Sequence, residues 1–170
     1  MGSSIDKYTA IQKEILKIEQ SEEVFCIRMG GNISDREEAG NFTYNVKTNQ
    51  FDVNISNDNI WTNIEKLSHE LKHADQYLNR KLTFKISANG KVTPDNYSID
   101  DEIEAYNRQA MFGNTLSYDD IFKNYSKLHF YGENKVFKPT QEHIAINNCY
   151  LQRKNYPGVL YNGWKNDITK

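Results

Sequence analysis

Apolar residues along this chain recur with two different periods, and the two periods map its elements. Between residues 6 and 20, Ile11, Ile15, Leu16 and Ile18 stand among polar neighbours, a spacing that predicts an amphipathic helix. Val24 to Met29 (V-F-C-I-R-M) reads as a short strand closed by Gly30-Gly31. Phe42-Thr43-Tyr44 and Phe51-Asp52-Val53-Asn54-Ile55 alternate apolar and polar residues, the mark of half-buried strands. The polar stretch Asn45 to Gln50 is suited to turn the chain between them, so a hairpin is expected.

The period then lengthens. From Ile60 to Asn79, Ile64, Leu67, Leu71, Ala74 and Leu78 fall at steps of three and four, with Asp58 or Asn59 as caps. Residues 80–97 hold Gly90, Pro94 and Asn96 and read mainly as a loop. Ser98 or Asp100 can cap a second helix running to about Met111, and Ser117 or Asp119 a short third. Beyond about Lys127 the pattern weakens into irregular structure. A helix, then strands, then helices is the order of an α+β fold, with a small antiparallel or mixed sheet packed on helices.

Composition narrows the class. The 170 residues suit a single domain spanning 1–170, with Met1-Gly2-Ser3-Ser4 resembling an expression scar. Eleven Tyr and eight Phe argue for a packed core despite a mean hydropathy of −0.79. The 21 Lys and Arg are scattered among 23 acids, for a net charge of −2, without the basic stripe of a nucleic-acid binder. No apolar run reaches the length of a membrane span, and no signal peptide is legible at the N-terminus. The expectation is a cytoplasmic protein, or one secreted as part of a larger delivered effector. Cys26 and Cys149 are too few and too far apart for a Cys-type zinc site and read as buried thiols.

The chemistry sits on the most regular helix. His69-Glu70-Leu71-Lys72-His73 matches H-E-x-x-H, a match that arises by chance in roughly one chain in two hundred of this size. Residues four apart share a helix face, so two imidazoles can converge on one tetrahedral Zn2+ ion. Glu70 lies about 100° round from His69. It is then beside the metal, placed to take a proton from a water whose pKa zinc has lowered. A catalytic zinc needs a third protein ligand and an open fourth position. The acidic start of the next helix supplies candidates. Asp100 and Asp101 suit the positive end of the helix dipole. Glu102 and Glu104 are about 200° apart around the helix, so only one of them can face the metal.

H-E-L-K-H followed by Glu102-Ile103-Glu104-Ala105-Tyr106 resembles the gluzincin metallopeptidases, a zincin-like fold in which two His come from one helix and a Glu from the next. The resemblance implies His69, His73 and Glu102 as zinc ligands, Glu104 as the alternative, and Glu70 as catalytic base. Where many gluzincins carry an Asp that orients a zinc-binding His, this chain has Tyr106, a second catalytic candidate. The longer string Ser68 to Ala74 with Glu102 to Gln109 is similar to metallopeptidase domains of bacterial polymorphic toxins and secretion-system effectors. That likeness covers roughly residues 40–112. It implies a protein or peptide substrate and a cognate immunity protein as partner; the charge and hydropathy patterns above give the expectation of no nucleic-acid or membrane partner. The metzincin extension fits less well, since it needs Gly and His where Gln76 and Asn79 stand.

Stabilising an oxyanion requires a further donor, for which Tyr106, His129, Tyr131 and His143 are candidates. The Phe51 to Ser56 strand, just before the motif helix, is the expected edge for strand-like pairing of a peptide. Two other readings compete. One is a non-catalytic zinc-binding interaction or regulatory module, and the other a metal-free domain with a chance motif.

Overall fold

The computed structural model describes residues 4–30, 40–113 and 115–125 of the chain. Helix α1 (Ser4–Glu19) leads into strands β1 (Phe25–Met29), β2 (Gly40–Asn45) and β3 (Gln50–Ile55). Helix α2 (Ile60–Leu78), strands β4 (Thr83–Ile86) and β5 (Val92–Asp95), and helices α3 (Ile99–Gln109) and α4 (Tyr118–Asn124) follow. The architecture is α+β, with one mixed and one antiparallel sheet. No helix among the described residues is long and apolar enough to cross a membrane.

The first sheet has the order β1-β3-β2. The expected hairpin is present, with β2 antiparallel to β3 and Phe42 opposite Val53. Asn49 closes the turn at φ 54°, a left-handed conformation that Asn tolerates better than most residues. β1 joins the other side of β3 in parallel, pairing Phe25 with Phe51. The expectation that Phe51 to Ser56 forms a free edge is therefore overturned, because β3 is central and hydrogen-bonded on both sides. The edge on the hairpin side is β2.

Residues 80–97 also depart from expectation. In place of a loop, β4 and β5 form a second antiparallel pair with Phe84 opposite Pro94. Pro94 is tolerated because a two-stranded sheet leaves each strand one unpaired side. Gly90, at φ 79°, takes the left-handed position of the turn.

One face of the first sheet supplies the core. Phe42, Phe51, Val53, Ala74 and Leu82 are buried together, with Phe25, Tyr77 and Phe84 packed around them. Phe51 is at its centre, its ring 4.3 Å from Tyr77 and 5.3 Å from Phe25. This cluster locks the sheet against one side of α2. A second cluster, Ile99, Ile103 and Ile121, seats α4 on α3 and fixes how α3 is rotated about its axis.

Capping sets where both site helices begin. The Asn59 side chain accepts from the N–H groups of Trp61 and Thr62 at 3.1 Å each, satisfying two of the orphan donors of α2. Asp58 instead pairs with Lys66. Ser98 caps α3, where Asp101 accepts from the Ser98 N–H at 2.9 Å and from its hydroxyl at 3.0 Å. An ionic cluster ties three helices together. Glu14 on α1 meets Lys72 of α2 at 3.1 Å and also Arg108 of α3, while Lys72 reaches Asp75 at 3.0 Å.

Candidate metal centre

Helix α2 is unusually polar in its buried positions: Asn63, Glu65, Ser68, His69, Glu70, His73, Asp75 and Gln76 are all buried along it. Acids are rarely buried to this degree unless they are paired or bind a ligand. Helix α3, the first sheet and α1 all pack against α2 and together bury these positions.

His69 and His73, one turn apart, turn their Nε2 atoms toward each other at 3.2 Å. Glu102 on α3 faces both, with one carboxylate oxygen 3.5 Å from His69 Nε2 and the other 3.5 Å from His73 Nε2. All three side chains are buried and form a group able to hold a metal ion. A tetrahedral ion with bonds of about 2.0–2.1 Å separates neighbouring ligand atoms by about 3.3 Å. The Nε2–Nε2 spacing is close to that edge length, and one ligand atom from each of the three residues lies within 4.8 Å of the others. Glu102 Oε2 is buried with no hydrogen-bond partner among the described residues, so the carboxylate has acceptor capacity to spare. An N-N-O donor set with a spare acceptor fits a divalent ion of the zinc type.

The choice between the two glutamates is decided by the rotation of α3. Ile99 and Ile103 point into the second core cluster, which turns Glu102 onto the histidines. Glu104 is carried round to the other side of Gln76. There it accepts from the Gln76 amide at 3.2 Å and pairs with Lys81 at 2.5 Å.

Gln76 itself is fully buried and was not a candidate from sequence. Its Oε1 lies 2.7 Å from His73 Nδ1, and its Nε2 donates to the Asp101 carbonyl at 2.9 Å. Accepting from Nδ1–H leaves Nε2 as the free lone pair of His73, directed at the group. Gln76 thus provides the support expected of an orienting carboxylate. The only sequence signal for it was its place three residues after His73 on the same helix. His69 lacks such a bond. Its Nδ1 is buried without a hydrogen bond of normal geometry, although the Gln109 amide is close enough to act on the ring.

Electrostatics differ between the two rings. Burial pulls His69 down, but the close Glu102 carboxylate, with the charge of Glu70, outweighs it and its pKa is raised. Burial dominates at His73 and lowers it to about 4, despite the opposing Glu102. Burial likewise pushes Glu102 up, but the imidazoles of His69 and His73 facing its two oxygens at 3.5 Å leave it lowered.

Glu70 lies on the neighbouring flank of α2, 6% exposed, in a cleft of about 740 Å³ that also opens onto His69, His73 and Glu102. Gly40, the first residue of β2, stands against it. A Cβ at Gly40 would fall 2.7 Å from Glu70 Oε1 and 3.0 Å from the Asn54 carbonyl. The glycine is needed for room, and it brings the β2 edge to the carboxylate. Gly40 to Thr43 line the same cleft, so the strand edge at the site is β2 and not β3.

Tyr106 also reaches the cleft. Its ring meets the His69 ring edge-on at 4.5 Å, and its hydroxyl lies 3.1 Å from that of Tyr125 at the end of α4. Burial, reinforced by the Glu102 charge, pushes both phenols above the ordinary tyrosine range. Both therefore stay protonated and able to donate. Tyr125 carried no motif and was not singled out from sequence. His129, Tyr131, His143 and Cys149 lie outside the described residues. Cys26 is half-buried, with its thiol 3.3 Å from Gln50 Oε1.

No family model, curated protein or solved structure matches this chain.

Proposed function

We propose that the protein is a zinc-dependent peptidase, with zinc held by His69, His73 and Glu102. The observation that carries this reading is the buried His-His-Glu group with Glu70 next to it in an accessible cleft. A purely structural site has no use for a buried carboxylate beside its ligands, nor for the glycine that makes room for it. Bound zinc would supply Lewis acidity, lowering the pKa of a coordinated water and polarising a carbonyl. Glu70 takes the proton from the attacking water and returns it to the departing amine, the general acid–base role that suits a carboxylate at neutral pH. Tyr106, kept as a phenol by its surroundings, donates a hydrogen bond to the developing oxyanion. The β2 edge offers main-chain groups along which an extended peptide pairs.

The motif likeness to bacterial toxin domains extends this reading to a domain carried by a larger effector and neutralised by an immunity protein. The test is metal content and hydrolysis measured on the same samples. One zinc per chain is expected, with hydrolysis of an unstructured protein substrate. Glu70→Gln should keep the zinc and lose activity by about 10²–10⁴-fold. Full activity in that variant would remove Glu70 from the mechanism. Stoichiometric zinc with no hydrolysis in the wild type would turn the reading to a non-catalytic zinc module.

A further inference from the structure

Glu65 lies four residues before His69, on the same face of α2. It is 2% exposed, its Oε1 has no hydrogen-bond partner among the described residues, and it lines the cleft that holds His69, His73 and Glu102. Its seat is built for it. A Cβ at Gly113 would stand 1.6 Å from Oε1 and 2.5 Å from Cδ, so any other residue at 113 would displace the carboxylate. Among the described residues, the lysines next along α2 are engaged elsewhere. Lys66 pairs with Asp58, and Lys72 with Glu14 and Asp75. An apolar side chain of similar shape would fill this place at lower cost, since a buried carboxylate oxygen without a hydrogen bond is unfavourable. None of the catalytic roles above uses it.

We propose that Glu65 is an acidic anchor for a cationic group on the ligand, the primary ammonium of a lysine side chain or of a peptide N-terminus, and so determines specificity. The inference rests on the peptidase reading and names its substrate class. The helical rise puts the Glu65 backbone about 6 Å from that of His69, so the cation is held beside the metal group rather than at it. A charge-assisted hydrogen bond to a buried carboxylate is among the stronger contacts available to a ligand.

The test uses zinc-loaded Glu70→Gln protein, to prevent turnover, and calorimetric titration with three sets of hexapeptides. The first is N-acetylated and carries one lysine at each position in turn. The second is N-acetylated with norleucine at those positions. The third is the norleucine peptide with a free amino terminus. At one lysine position, or with the free amine, binding should be about tenfold tighter or more than for acetylated norleucine. The arm that shows the gain identifies the source of the ammonium. Adding Glu65→Gln should erase the gain with zinc content unchanged, while Glu65→Asp, which keeps the charge, should retain part of it. No gain in any arm, or a gain that survives Glu65→Gln, overturns the proposal. The comparison of peptides on the Glu70→Gln protein with Glu65 intact stands even where a Glu65 variant fails to fold. Hydrolysis assayed in parallel separates the two readings. Turnover without cation preference removes only the anchor, and a Glu65-dependent preference without turnover removes only the peptidase.

Discussion

The Gln76 carboxamide oxygen lies 2.7 Å from Nδ1 of His73, and the same amide reaches α3 through the Asp101 carbonyl. One buried side chain thereby links an imidazole of the candidate metal group to the helix that carries Glu102. Gln76→Leu should weaken zinc binding by about 10–100-fold, the usual cost of losing an outer partner of a ligating His. Competition with a chromophoric chelator measures this directly. Undiminished affinity would mean that packing alone orients His73.

Removing a ligand should cost more than removing its support. His69→Ala, His73→Ala and Glu102→Gln should each lower zinc affinity well beyond the Gln76 variant, whereas Glu104→Gln should leave it nearly unchanged. The contrast between the two glutamates is the decisive part. Thermal unfolding gives a second readout, because a ligand at 1,000 times its Kd stabilises the fold by about 4 kcal/mol. That shift should appear in Glu104→Gln and be absent in Glu102→Gln at the same zinc concentration.

Gly40→Ala tests the meeting of β2 and Glu70. The added methyl would press on Glu70 Oε1 and the Asn54 carbonyl. Zinc content should be retained while activity falls by about tenfold or more, since small displacements of a positioned group are costly to rate. Unchanged turnover would show that the carboxylate can move aside without consequence.

Tyr106→Phe keeps the ring against His69 and removes only the hydroxyl. The expectation is a fall in kcat of about 10²–10³-fold with little change in KM, as when an oxyanion donor is lost. A KM effect alone would assign Tyr106 to substrate binding.

Acid should release the metal. Zinc binds imidazole and carboxylate in their deprotonated forms, so protons compete for all three ligands and affinity falls with pH. Zinc occupancy followed by a fluorescent indicator from pH 8 to pH 5 should decline steadily. Occupancy flat across that range would argue against histidine ligation.

The pattern of residues carried the helices and the hairpin, because both are local. The steps of three and four in α2, the caps at Asn59 and Ser98, and the alternation in β2 and β3 are each satisfied within a few residues of chain. His69, Glu70 and His73 were legible for the same reason, since a helix by itself puts i and i+4 on one face. The second hairpin was not. Gly90 and Pro94 read as loop, and only pairing with β4 makes Val92–Asp95 a strand.

What this sequence determined by itself was a pair of histidines and a carboxylate on one helix, inside an α+β succession of elements. Tertiary structure decided the rest. Rotation of α3 on its isoleucines chose Glu102 over Glu104. Insertion of β3 between β1 and β2 moved the strand edge from Phe51–Ser56 to Gly40–Thr43. Packing of α3 across α2 buried Gln76 behind His73, and the room left by Gly113 seated Glu65 in the cleft. Each of these joins residues far apart in the chain, and their relative placement follows from which side chains share a core, a quantity that no local period encodes.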